Sequence, residues 1–271
     1  MQAPYKYKGF TLIEMVTVIV ILGILATSVT SFIRFGTQGY TDAVDRDELI
    51  STARFVIERL NREVRNALPN SIRVTKDDTM QCLEYVPIVN SVVYLDIPVA
   101  PDVASNSLDV MMLEALPPTS VNFISVYALN SADIYNRKAG VIAEFNNISL
   151  NADPTLPSII TLSTSTLFEA ESPTSRLYLI DKPIAYCLVG RSLYRYNNYS
   201  YSNENTPIFD GENRSLMAEY LANDIDIDEE QPFKVEPVTL RRNGIALVRL
   251  IFSLNLEEIV FSNEIQVPNV P

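Results

Sequence analysis

The sequence predicts an α+β protein: one long N-terminal helix, transmembrane in its first half and amphipathic in its second, packed on a mostly antiparallel β domain. Three observations predict it. An apolar run extends from Phe10 to about Phe32, interrupted mainly by small residues and one acid. The following stretch repeats apolar side chains every three or four positions. From Ser71 onward, alternating or β-branched runs recur between clusters of Pro, Asn, Asp and Ser.

The apolar run is long enough to cross a bilayer, for which about 20 residues suffice. Lys6 and Lys8 precede it, which predicts a cytoplasmic N-terminus with the bulk of the chain on the far side. Glu14 stands inside the run, where an acidic side chain costs roughly 2.5 to 3.5 kcal/mol at the membrane centre and signals a function. Beyond the anchor, Leu49, Ala53, Val56, Leu60, Val64 and Ala67 step along one helical face. Glu58 with Arg62 and Arg59 with Glu63 have i,i+4 spacing on the charged face. Pro69 disfavours helical geometry at Leu68 and closes the segment. A continuous helix over 10–68 has a length of about 88 Å at 1.5 Å per residue. Gly36 and Gly39 mark either a hinge or the exit of the anchor. The expected division is a basic leader over 1–9, a membrane-spanning helix over 10–35, its amphipathic continuation over 36–68, and a β-rich domain over 69–271.

Ten runs read as strands, at 82–89, 91–97, 121–129, 141–150, 158–163, 176–181, 183–190, 191–196, 246–254 and 258–267. In the ninth, Val248, Leu250, Phe252 and Leu254 form a wholly apolar face, which predicts a central strand. Val189-Gly190 followed by RSLYRY predicts a hairpin. No internal repeat and no low-complexity tract is present.

Composition excludes several chemistries. The chain has no histidine, so it has no Ser-His-Asp triad, no Cys-His pair and no histidine metal ligand. Its eight glycines make neither a phosphate-binding loop nor a dinucleotide fingerprint, and the paired carboxylates that remain occur in any acidic chain and carry little weight, so no enzyme activity and no cofactor are expected. Net charge is −12, and losing Lys6 and Lys8 with the leader leaves −14, which argues against nucleic acid as a partner. Cys82 and Cys187 lie in strand-like runs of a domain facing an oxidising space; they form either a disulfide or two buried thiols. Asp224, Asp226 and Asp228 resemble the start of a calcium loop. Glu229 replaces the glycine of the sixth place and Val235 the glutamate of the twelfth, so a strand with Ile225 and Ile227 inward explains the alternation more simply. Tyr194, Tyr196, Tyr199 and Tyr201 suit either a binding surface or an ordinary strand edge.

The stretch Lys8-Gly9-Phe10-Thr11-Leu12-Ile13-Glu14 resembles the processing site of class III signal peptides, as in type IV pilins and type II secretion pseudopilins. The resemblance implies cleavage between Gly9 and Phe10, N-methylation of Phe10, and pairing of Glu14 with the N-terminal amine of a neighbouring subunit. Its implied partners are other major and minor pilins, the prepilin peptidase and methyltransferase, the inner-membrane assembly platform and membrane lipid. It implies a single-pass inner-membrane precursor with a periplasmic domain that then enters an extracellular pilus. The stretches MQCLEYVPI, SRLYLIDKPIAYCLVGRSLYRY and EIQVPNVP resemble, over scattered parts of the β domain, the MshO-type minor pilins of the mannose-sensitive haemagglutinin (MSHA) pilus. RSLYR is similar, more loosely, to a hairpin of the J-type minor pseudopilins. These resemblances imply a minor pilin that initiates assembly or sits at the tip; a secretion pseudopilin and a tip adhesin are the alternatives.

Overall fold

The computed structural model describes residues 9–111, 121–151, 153, 156–203, 207, 209, 213–236, 244–255 and 257–267. Residues 1–8 of the expected leader over 1–9, and the closing PNVP, lie outside the described residues. Contacts divide the chain into two units, Met1–Leu49 and Ile50–Pro271.

The first unit is helical from Leu12 onward and belongs to α1 (Leu12–Val64), which continues into the second unit. The predicted stripe is realised: Leu49, Ala53, Val56, Leu60 and Val64 are buried. The helix ends at Val64, short of the predicted Leu68, because the sheet captures the chain first. Ile88 donates its N–H to the Asn66 carbonyl, and Leu68 donates to the Val86 carbonyl at 2.8 Å. Those carbonyl and amide groups are then no longer available for a further helical turn.

The second unit holds fourteen described strands in three groups. A five-stranded antiparallel sheet has the order β1 (Arg73–Lys76), β2 (Met80–Tyr85), β9 (Ile184–Val189), β10 (Ser192–Tyr196), β11 (Arg214–Ala218). A six-stranded barrel closes in the order β3 (Ile88–Asp96), β4 (Ser105–Val110), β7 (Ser158–Thr166), β6 (Ile142–Ser149), β5 (Phe123–Ser125), β8 (Arg176–Ile180). A three-stranded sheet runs β12 (Phe233–Glu236), β13 (Gly244–Leu254), β14 (Glu257–Val267). One short helix, α2 (Ser131–Tyr135), is capped by Asn130, whose side chain accepts from the Asp133 N–H.

Each of the ten predicted strand runs overlaps a strand, the first two sharing β3, which runs through Asn90; β13 is central with Val248, Leu250 and Phe252 buried and Leu254 half-buried. The predicted hairpin is β9–β10, turning at Gly190, whose φ of 59° suits glycine. Barrel closure is new relative to the sequence reading. It follows from alternation: Val92, Tyr94, Leu108, Val110, Ile124, Ile160, Leu162, Leu177 and Leu179 come from five of its strands into one apolar core.

Candidate functional site

Glu14 lies in the first turn of α1, and Gly9 and Phe10 lie just before the helix. Thr11 occupies the N-cap place: its carbonyl accepts from the Glu14 N–H at 3.1 Å and its hydroxyl lies 3.4 Å from the same nitrogen. Thr-Leu-Ile-Glu therefore has the spacing of a capping box as well as that of a processing motif. Phe10 is 82% exposed and Leu12 83%, and the large apolar side chains onward to Phe35 are exposed within the chain. This helix is long and apolar enough to cross a membrane.

Five of its threonine hydroxyls bond back to the helix. Thr17 donates to the Glu14 carbonyl, Thr27 to Ile24, Thr30 to Ala26, Thr37 to Ile33 and Thr41 to Thr37, all at 2.8–3.0 Å. Lipid offers hydroxyls no partner, so this back-bonding lets polar residues reside in an apolar run. The helix runs unbroken through Gly36 and Gly39, and a Cβ at either would meet no neighbour within 4 Å.

The continuation of α1 within the second unit is anchored by Glu63, which the sequence reading placed only in an exposed i,i+4 pair. Its carboxylate accepts from Tyr85 Oη at 2.7 Å, Tyr186 Oη at 3.0 Å, Arg195 Nε at 2.9 Å and Arg59 Nε at 2.9 Å. Burial alone raises its pKa, but the Tyr85 hydroxyl and the Arg59 and Arg195 guanidiniums outweigh it and hold the group below the usual carboxylate value. The signal in the sequence was an acid beside a buried stripe, with a tyrosine in each of the two strand-like runs that carry the cysteines.

Cys82 and Cys187 form a disulfide across directly opposed residues of β2 and β9. Tyr186 adjoins one half-cystine and Tyr85 follows the other by three residues, so the bridge clamps the two strands that hold Glu63. Glu84, on β2, is fully buried; Arg73 Nε lies 2.7 Å away and Tyr199 Oη donates at 2.8 Å. Burial there outweighs Arg73 and Tyr199 and pushes the carboxyl above its usual value.

The remaining candidates are reassigned. Tyr199 is buried on Glu84, and Tyr201 donates to the Asp181 carbonyl at 2.7 Å. Only Tyr194 and Tyr196 belong to β10, so the tyrosine run does not form one exposed surface. Residues 225–230 form a bend and a 3-10 turn rather than the expected strand, and Ile227 is exposed. The Asp224 carboxylate accepts from the Asp226 N–H, as in an Asx turn, which breaks the alternation. Lys76 pairs with Asp226 at 2.8 Å and Lys234 with Asp228 at 2.8 Å. Among the described residues, no group of three acidic, histidine or cysteine side chains is placed to hold a metal ion.

The family model described as the prokaryotic N-terminal methylation motif matches residues 5–30. No curated protein and no solved structure gives a significant match. The matched segment contains Gly9, Phe10, Glu14 and most of the apolar run. The motif belongs to structural rather than enzymatic proteins, and it implies interaction with other pilins and with a prepilin peptidase. Together with the single apolar N-terminal helix it is consistent with a single-pass inner-membrane protein. The match supports a type IV pilin-like or pseudopilin precursor that begins with a class III signal peptide.

Proposed function

We propose that the protein is a minor pilin of an MSHA-type type IV pilus. The precursor enters the inner membrane, is cut between Gly9 and Phe10, is N-methylated at Phe10, and joins the filament at initiation or at the tip. The observation that carries this reading is an acid in the first turn of an otherwise apolar helix, inside the matched methylation motif. Cleavage bares a cation at Phe10, one helical turn from the Glu14 carboxylate. Each charge is costly alone in lipid and tolerable when paired, so pairing between adjacent subunits fixes their register. The basic leader, the acidic remainder and the domain's disulfide support an extracytoplasmic β domain.

The test is Glu14→Ala beside Glu14→Gln in cells that make the filament. Expected is incorporation lowered by about tenfold or more in both, with membrane insertion retained. Normal stoichiometry in the filament with either variant overturns the assembly role. A type II secretion pseudopilin uses the same processing; co-purification with the filament rather than with a secretion apparatus separates the two.

A further inference from the structure

The three-stranded sheet ends in β14, and the pairing pattern of β13 shows which way the groups of β14 point. Along β13 the odd residues bond away from β14: Arg249 N–H to the Pro232 carbonyl, Ser253 N–H to the Tyr220 carbonyl, and the Ile251 carbonyl to the Ala222 N–H. The even residues of β13 therefore face β14, opposite Ile259, Phe261, Asn263 and Ile265. It follows that Glu258, Val260, Ser262, Glu264 and Gln266 aim their N–H and C=O groups at the open edge. None of the N–H or C=O groups of these five residues has a backbone partner among the described residues. The same five side chains are exposed, on the sheet face opposite that of Asn263, whose side chain donates to Asn61 of α1.

Natural sheets blunt such edges with proline, charged side chains, bulges or short strands. Of these β14 has only acidic charge, which deters another acidic strand: its register with β13 is uninterrupted over eleven residues, with no proline, lysine or glycine. The other edges differ. β1 and β12 are four residues each, and β11 is five residues with a register shift where it pairs. Charge narrows the occupant. The open edge presents Glu258 and Glu264 and no base, in a chain of net charge −12, so a second copy is repelled and a cationic strand is attracted.

We propose that β14 is a strand-addition site for an extended segment of another protein, bearing lysine or arginine opposite Glu258 and Glu264. Main-chain bonds to the five open residues give affinity, and the two cross-strand ion pairs select the basic partner. This reading is independent of the processing proposed for the N-terminus.

The test uses the full-length protein in detergent and a nine-residue peptide alternating lysine with valine or threonine. Amide exchange at Glu258, Val260, Ser262, Glu264 and Gln266 is expected to slow by about tenfold or more with peptide. A peptide N-methylated at alternate amides, and one with glutamate in place of lysine, are expected to give no protection. Ser262→Pro removes an open-edge donor that β13 does not use, and is expected to abolish binding while the β13–β14 amides stay protected. Glu258→Lys with Glu264→Lys is expected to reverse the preference toward the glutamate peptide. Unchanged exchange at the five amides, or equal binding of the N-methylated peptide, overturns strand addition. Protection without peptide that disappears on dilution shows a second copy at the edge and overturns the cationic partner.

Discussion

The two stretches of α1 solve the same problem, burial of an apolar face, in different solvents. From Phe10 to Phe35 the large apolar side chains point outward all round, and threonine hydroxyls fold back on the backbone. From Leu49 to Val64 the apolar side chains narrow to one buried stripe, and Glu63 adds a polar anchor beside it. A helix apolar on every side is stable only where its surroundings are apolar, whereas a striped helix needs one partner face. The difference teaches that two folding environments are written into one uninterrupted element. It also explains the fates of the two acids: Glu63 finds four donors within its own domain, while Glu14 lies in the exposed apolar stretch.

Perturbing the docked stretch and its platform should cost domain stability, and perturbing the apolar stretch should not. The largest effect is expected from Cys82→Ser with Cys187→Ser, which frees a cross-link spanning 105 residues. The loss is about 4 to 5 kcal/mol in the chain-entropy account, read from denaturant unfolding under oxidising conditions. Leu60→Ala, at a fully buried position, is expected to cost about 2 to 5 kcal/mol, whereas Leu25→Ala should change domain unfolding by less than about 0.5 kcal/mol. Equal losses from Leu60→Ala and Leu25→Ala would erase the comparison.

Glu63→Gln is expected to cost about 2 to 3 kcal/mol near neutral pH, because two guanidiniums lose their charged acceptor. Its pH dependence has a definite sign. The folded pKa lies below the unfolded value, so the stabilisation is present above the unfolded value and is lost as pH falls through the folded one. Glu84 gives the opposite and smallest effect. Its folded pKa lies above the unfolded value, so its contribution is greatest below the unfolded value and declines as pH rises through the folded one. Wild type minus Glu63→Gln should therefore grow with rising pH, and wild type minus Glu84→Gln should shrink. Unfolding free energies across acid pH check both signs.

The helix was legible because periodicity reports directly on which residues share a face: Leu49, Ala53, Val56, Leu60 and Val64 follow one stripe. Strands with a buried face were legible for the same reason. β1, β4, β11 and β12 were not, because RVTK, SNSLDV, RSLMA and FKVE are short or largely polar. Their strand state is imposed by neighbours. Closure of the barrel depends on pairings such as Val92 with Leu177, far apart in sequence, which no local pattern encodes. At the candidate site, residue identities at 9–14 were legible from the motif, while the Glu63 hub needed Tyr85, Tyr186 and Arg195 from three strands to meet it beside Arg59 of its own helix. Alternation misled at Asp224, Asp226 and Asp228, where an Asx turn and two lysines account for the acids.

The central claim is that residues 1–9 are a leader removed to expose a charged terminus beside Glu14. Intact-mass and N-terminal analysis of the protein, from cells with and without the prepilin peptidase, tests it most directly. The account predicts a chain starting at methylated Phe10 in the first strain and an unprocessed Met1 chain in the second. The Met1 chain in both strains, or a mature terminus beyond the apolar run, would contradict it.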